Sequence, residues 1–172
     1  MVSKDAKAVK MLLRLFIDEL DRYCEEASRK ESEIFVPISG GLDSSLLLLL
    51  TSKTKECKHI HAIHVNMGNP KEFALSKLIA NKVGVPIHVI LVPLSYLKNN
   101  LVDMLSKLVR LIGYPRERDS SLPYLILALF MKSHHSKRVL FSIGGDDADT
   151  IFGGYDYYKL FATQLILEKR NR

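Results

Sequence analysis

The sequence predicts an α/β fold built on a parallel sheet, in a single domain. Three observations predict it. Short apolar runs of strand length alternate with longer stretches of helical spacing, the pattern of strands joined by crossover helices. Two polar, glycine-containing turns, Ser39–Ser45 and Gly144–Thr150, each follow one of the strand-like runs. The 172 residues hold no internal repeat, low-complexity segment or interdomain linker, and the length suits one domain.

The elements follow in order. Ala6 to Lys30 spaces Val9, Leu12, Leu13, Phe16, Ile17, Leu20 and Tyr23 helically, opposite a charged face. That predicts one long amphipathic helix (1–30) packed on the domain. Glu33 to Ile38 predicts the first strand and Ser44 to Ser52 a helix, buried because Leu46 to Leu50 is apolar all round. His59 to Val65 predicts the second strand. Alternation there puts His59 and His61 on one face and His64 on the other, so the three do not converge on a metal ion. Lys71 to Val83 predicts a helix with Phe73, Leu75, Leu78, Ile79 and Val83 on its apolar side, stopped by Gly84 and Pro86.

Pro86 to Val92 predicts a third strand, and Leu94 to Leu111 a helix. Gly113 to Asp119 is polar and predicts a loop. Ser120-Ser121-Leu122-Pro123 opens a further helix reaching about Ser133, with Pro123 suited to its first turn. Arg138 to Ser142 predicts the fourth strand, and a helix follows Tyr155.

Composition narrows the function. Apolar residues make up 47% of the chain, but no run reaches the roughly 18 needed to span a bilayer. The N-terminal MVSKDAKAVK is too charged for a signal peptide. The expectation is a soluble, cytoplasmic protein, in which Cys24 and Cys57 are free thiols. The net charge of +6 fits either a nucleic-acid surface or a solvated lysine face with some attraction for ATP.

Ile34 to Leu50 carries the chemistry. In IFVPISGGLDSSLLLLL, a strand runs into Ser39-Gly40-Gly41, and Asp43-Ser44-Ser45 opens a helix. Adjacent glycines admit backbone shapes closed to other residues and let main-chain N–H groups approach a ligand. Those groups, the serine hydroxyls and the helix N-terminus favour an anion such as phosphate. Asp43 would repel phosphate, and makes sense as a ligand of a magnesium ion that bridges to it. No lysine lies in the stretch, which excludes a Walker A loop. An ordinary strand–turn–helix corner capped by Asp or Ser is the plainer alternative. The second cluster, Gly144-Gly145-Asp146-Asp147-Ala148-Asp149-Thr150, sets three carboxylates within four residues after a predicted strand. Their mutual repulsion would be relieved by a divalent cation.

SGGLDSS resembles the phosphate loop of the ATP pyrophosphatases, or PP-loop enzymes. GGDDADTIFGGY resembles the signature of the synthetase domain of asparagine synthetases, and Ser120-x-x-Pro123 is similar to a helix opening in that family. The resemblance covers roughly Ile34 to Tyr158 and implies a nucleotide-binding core over 33–158. The fold it implies is the adenine nucleotide α-hydrolase-like, Rossmann-like, three-layer sandwich with a parallel sheet. The implied reaction is adenylation of an aspartate-like carboxylate by ATP with magnesium, release of pyrophosphate, and amide formation with ammonia or an amine.

By the same resemblance Ser39, Gly40, Gly41, Asp43, Ser44 and Ser45 would hold pyrophosphate and magnesium, and Val65 and Gly145 would lie near the nucleoside. Asp149 would be the second magnesium ligand, and Asp146 would act near the adenylate. The sequence departs from the pattern at Asp146, where the family has Glu, and at Asp147 and Thr150. Nothing resembles a glutaminase domain, so a minimal stand-alone synthetase form is expected. Its ammonia would be free or supplied by a separate glutaminase subunit, and homo-oligomers are compatible. Two alternatives stay open: a PP-loop enzyme of RNA thiolation or lysidine type, and a non-catalytic ATP-binding subunit.

Overall fold

A computed structural model describes residues 2–112, 118–134 and 140–142, with side chains over 6–110 and 122–133. Among the described residues four strands, β1 (Glu33–Pro37), β2 (Ile60–Asn66), β3 (Ile87–Leu91) and β4 (Leu140–Ser142), make one sheet in the order β3-β2-β1-β4. Every pairing is parallel, with Phe35 of β1 opposite His61 on one side and Ser142 on the other.

The helices are α1 (Val2–Arg29), α2 (Leu42–Lys53), α3 (Pro70–Val83), α4 (Leu94–Ile112) and α5 (Arg118–His134). Strand alternation sends Ile34, Val36 and Ala62 to one face, where they pack with Leu20 and Cys24 of α1, Leu47 and Leu48 of α2, and Ala80 of α3. Phe35 and Ile63 point the other way, against Leu127 of α5. Val65 and Ile90 complete that second core with Leu97, Met104 and Leu108 of α4 and Leu125 and Ile126 of α5. Helices on both faces of a parallel sheet give the expected three layers.

Local chemistry sets the element ends. Asn69 caps α3 by accepting from the Lys71 and Glu72 amides, Pro70 occupies its first position, and Gly84 closes it at φ +78°. The strand order reverses at β1, because β2 and β3 lie on one side of it and β4 on the other. The carboxyl ends of β1 and β4 therefore flank a topological switch point, where open α/β sheets bind ligands.

Several expectations change. Cys24 and Cys57 are not free thiols but form a disulfide, with a Cα–Cα distance of 4.7 Å. They are 33 residues apart in sequence, but α1 packs across the segment that joins α2 to β2, and both side chains sit in one core. Helix α2 is not buried all round: Leu47 and Leu48 are buried, while Leu42, Leu46 and Leu49 are exposed. An unbroken leucine run has no polar residue to mark the solvent side. In α3 the buried positions are Ser76 and Ala80, and Leu75 and Leu78 face outward.

Helix α1 buries Leu20, Cys24 and Ala27 but exposes Val9, Leu12 and Phe16, so only its C-terminal half packs as expected. Helix α5 begins at Arg118, not Ser120, which leaves Pro123 inside it. Among the described residues no helix is long and apolar enough to cross a membrane.

Candidate functional site

The segment between β1 and α2 is compact because its polar groups bond one another. The Ser39 hydroxyl lies 3.2 Å from that of Ser44 and accepts from the Gly41 amide at 3.3 Å. The Ser39 amide donates to Ser44 Oγ at 3.3 Å, and the Ser44 and Ser45 hydroxyls donate to the Gly41 carbonyl. Gly40 sits at φ +85°, the left-handed region. A Cβ there would meet Leu75 Cβ at 2.8 Å and the Glu72 carbonyl at 3.1 Å, so the turn lies directly on α3. Gly41 is extended (φ −71°, ψ 167°), and a Cβ there would meet only Ser39 Oγ at 3.3 Å.

Helix α2 then starts with Gly41 at its N-cap and no side-chain cap. The first amide returned to the helix is that of Ser45, which donates to the Gly41 carbonyl at 3.1 Å. The amides before it, at Leu42, Asp43 and Ser44, have no intrahelical partner, as at any helix start. The corner is therefore not the Asp- or Ser-capped kind. Uncapped donors at a positive helix end are what an anion requires.

A cleft of about 340 Å³ opens beside this corner. Ser39, Gly41, Asp43 and Ser44 form its polar wall. Ile63, Val65, Pro123, Tyr124 and Leu127 form an apolar wall, from the end of β2 and from α5. Glu72 lines it from the first turn of α3. A polar, donor-rich end and an apolar shelf together suit a nucleotide, with phosphates at the first and the base on the second.

Of the residues expected at a site, Ser39, Gly41, Asp43, Ser44 and Val65 line this one cleft. Gly40 and Ser45 lie behind it, packing on α3 and bonding the Gly41 carbonyl. Gly145, Asp146 and Asp149 lie outside the described residues, as does the Gly113–Glu117 part of the predicted loop. Their cluster begins just after β4, which runs parallel to β1.

Sequence reasoning missed Glu72, Tyr124, His64 and Ser76. The last two carried a signal, since each puts a polar group where the period demands a core residue. His64 is 3% exposed and Ser76 0%. The Nδ1–H of His64 donates to the Ile38 carbonyl at 2.8 Å, and Ser76 Oγ donates to the same carbonyl at 3.3 Å. His61 lies on the opposite face, stacked on Phe35 and 3.1 Å from the imidazole of His88. His59 precedes β2 in the left-handed region, at φ +52°. No three His, Cys, Asp or Glu side chains gather to hold a metal among the described residues.

The family model described as asparagine synthase matches residues 16–169. The chain belongs to the asparagine synthase family. Among solved structures, the chain is similar to the NH3-dependent NAD synthetase from Campylobacter jejuni subsp. jejuni NCTC 11168, in complex with the nitrate ion. The identity is 13% and the TM-score 0.47, over 85% of this chain and 62% of that one. The chain thus spans less than two thirds of that protein's length. No curated protein matches the chain.

Proposed function

We propose that the protein is an ATP-dependent amide ligase that adenylates a small carboxylate, aspartate-like in class, and passes the acyl group to ammonia or an amine. The observation that carries this reading is the uncapped start of α2 beside Gly40 and Gly41, opening into the cleft that Asp43 and Val65 also line. The carboxylate substrate attacks the α-phosphorus of ATP. The bond from that phosphorus to the bridging oxygen breaks, and pyrophosphate leaves with the negative charge. The amides of the α2 first turn and the hydroxyls of Ser39 and Ser44 receive that charge where it develops. Val65 and the apolar shelf hold the base.

The oxygen donors of this wall fit a hard cation. Asp43 would hold a magnesium ion, which would withdraw charge from the phosphate oxygens. The resemblance assigns the second carboxylate ligand to Asp149 and the group beside the adenylate to Asp146. A nitrogen nucleophile then attacks the acyl carbon, and AMP departs. Its source is free ammonia or a separate ammonia-supplying subunit.

Product analysis by phosphorus NMR tests the proposal, with ATP, magnesium, ammonium and a panel of carboxylates. AMP and pyrophosphate in equal amounts, formed only with a carboxylate present, support it. ADP and phosphate as products would rule it out.

A further inference from the structure

We infer that His64 and Ser76 are positioning residues that fix the phosphate loop by gripping the peptide between Ile38 and Ser39. The inference rests on the nucleotide reading of the cleft and goes beyond it, because neither residue belongs to the loop.

Ile38 is where the sheet ladder stops. Its amide still donates to the Ile63 carbonyl at 2.9 Å, one residue past the end of β1. Its carbonyl accepts from His64 Nδ1 at 2.8 Å and from Ser76 Oγ at 3.3 Å. A carbonyl only accepts, so Nδ1 carries the proton. Ser76 Oγ lies 3.1 Å from the same nitrogen and closes the triangle. The ring is braced by stacking on Phe73, at 5.7 Å between centroids and 28° between planes.

A trans peptide is planar, so its C=O and the following N–H point in opposite directions. Holding the Ile38 carbonyl against α3 therefore aims the Ser39 amide away from α3, towards Ser44 Oγ, to which it donates at 3.3 Å. One rigid plane thus ties β2 and α3 to the first turn of α2. Burying an imidazole and a hydroxyl is costly unless both are hydrogen-bonded, and valine and alanine would fill the same positions with no polar group to satisfy. What the polar pair adds is the orientation of this peptide.

Three variants test it: His64→Leu, which removes the donor; His64→Asn, whose side-chain amide places a donor near the Nδ1 position; and Ser76→Ala. Hydrogen exchange at the amides of 39–45 is measured against that of Val36, together with the affinities for ATP and adenosine. In His64→Leu the loop amides should exchange about tenfold faster relative to Val36, the equivalent of one lost hydrogen bond. ATP affinity should fall by a similar factor while adenosine affinity holds. His64→Asn should recover most of both losses, and Ser76→Ala should show the same selectivity at roughly threefold, in keeping with its longer contact.

Unchanged loop exchange in folded His64→Leu would overturn the inference, as would equal losses for ATP and adenosine. Should His64→Leu not fold, Ser76→Ala decides by the same criteria. A wild-type protein that binds no ATP would defeat the nucleotide reading alone, and loop exchange would still decide the positioning role.

Discussion

A Cβ on Gly40 would sit 2.8 Å from Leu75 Cβ, closer than two such carbons pack. The β1–α2 turn is thus seated on the N-terminal half of α3, and only glycine fits there, by space and by its φ of +85°. Gly40→Ala should therefore destabilise the fold by about 2 kcal/mol or more, from left-handed strain plus overlap. Gly41→Ala should change stability by less than about 0.5 kcal/mol, since its backbone is extended and a Cβ would press only on the Ser39 hydroxyl, which can shift slightly, yet weaken ATP binding about tenfold by crowding the amides. Urea unfolding and nucleotide titration of the two variants separate these effects. Equal stability losses would contradict the account.

The Cys24–Cys57 bridge closes a separation of 33 residues between α1 and the approach to β2. Constraining the unfolded chain over a loop of that length is worth about 3–4 kcal/mol. Cys24→Ala with Cys57→Ala should lower Tm by roughly 10 °C for a domain of this size. A scan with and without reductant on the wild type should show the same shift. No shift in either would mean that the bridge does not form in solution.

His61 titrates below the usual imidazole range because burial opposes its charge, and His88 beside it adds repulsion when both are protonated. Their hydrogen bond also needs a lone pair on one ring. A histidine whose folded pKa is depressed lends stability above its unfolded pKa, near pH 6.5, and that stability is lost as pH falls below it towards the folded value. Urea unfolding at pH 7.5 and pH 5.5 should show a larger loss for the wild type than for His61→Gln. Identical losses would contradict this assignment.

Much of the fold was legible because the chain keeps its periods. β1 and β2 end within a residue or two of where the apolar runs end, and Gly84 stops α3 as its residue type predicts. The shape of the β1–α2 turn was legible because glycine and serine act there through the backbone, which is local chemistry. Partnerships made in space were not. Nothing in the spacing of Cys24 and Cys57 announces a bridge, and Leu46 to Leu50 cannot mark its own exposed side. His64 on its strand and Ser76 on its helix break the apolar pattern, but the carbonyl that explains them, Ile38, lies 26 and 38 residues away.

The central claim is that this cleft activates a carboxylate with ATP. ATP–pyrophosphate exchange with magnesium, across aspartate, other amino acids and small carboxylates, tests it most directly. The account predicts exchange that requires one class of carboxylate and falls about a hundredfold or more in Asp43→Ala, the loss expected when an electrostatic group at the departing phosphate is removed. ATP binding without exchange for any carboxylate, or full exchange in Asp43→Ala, would contradict it.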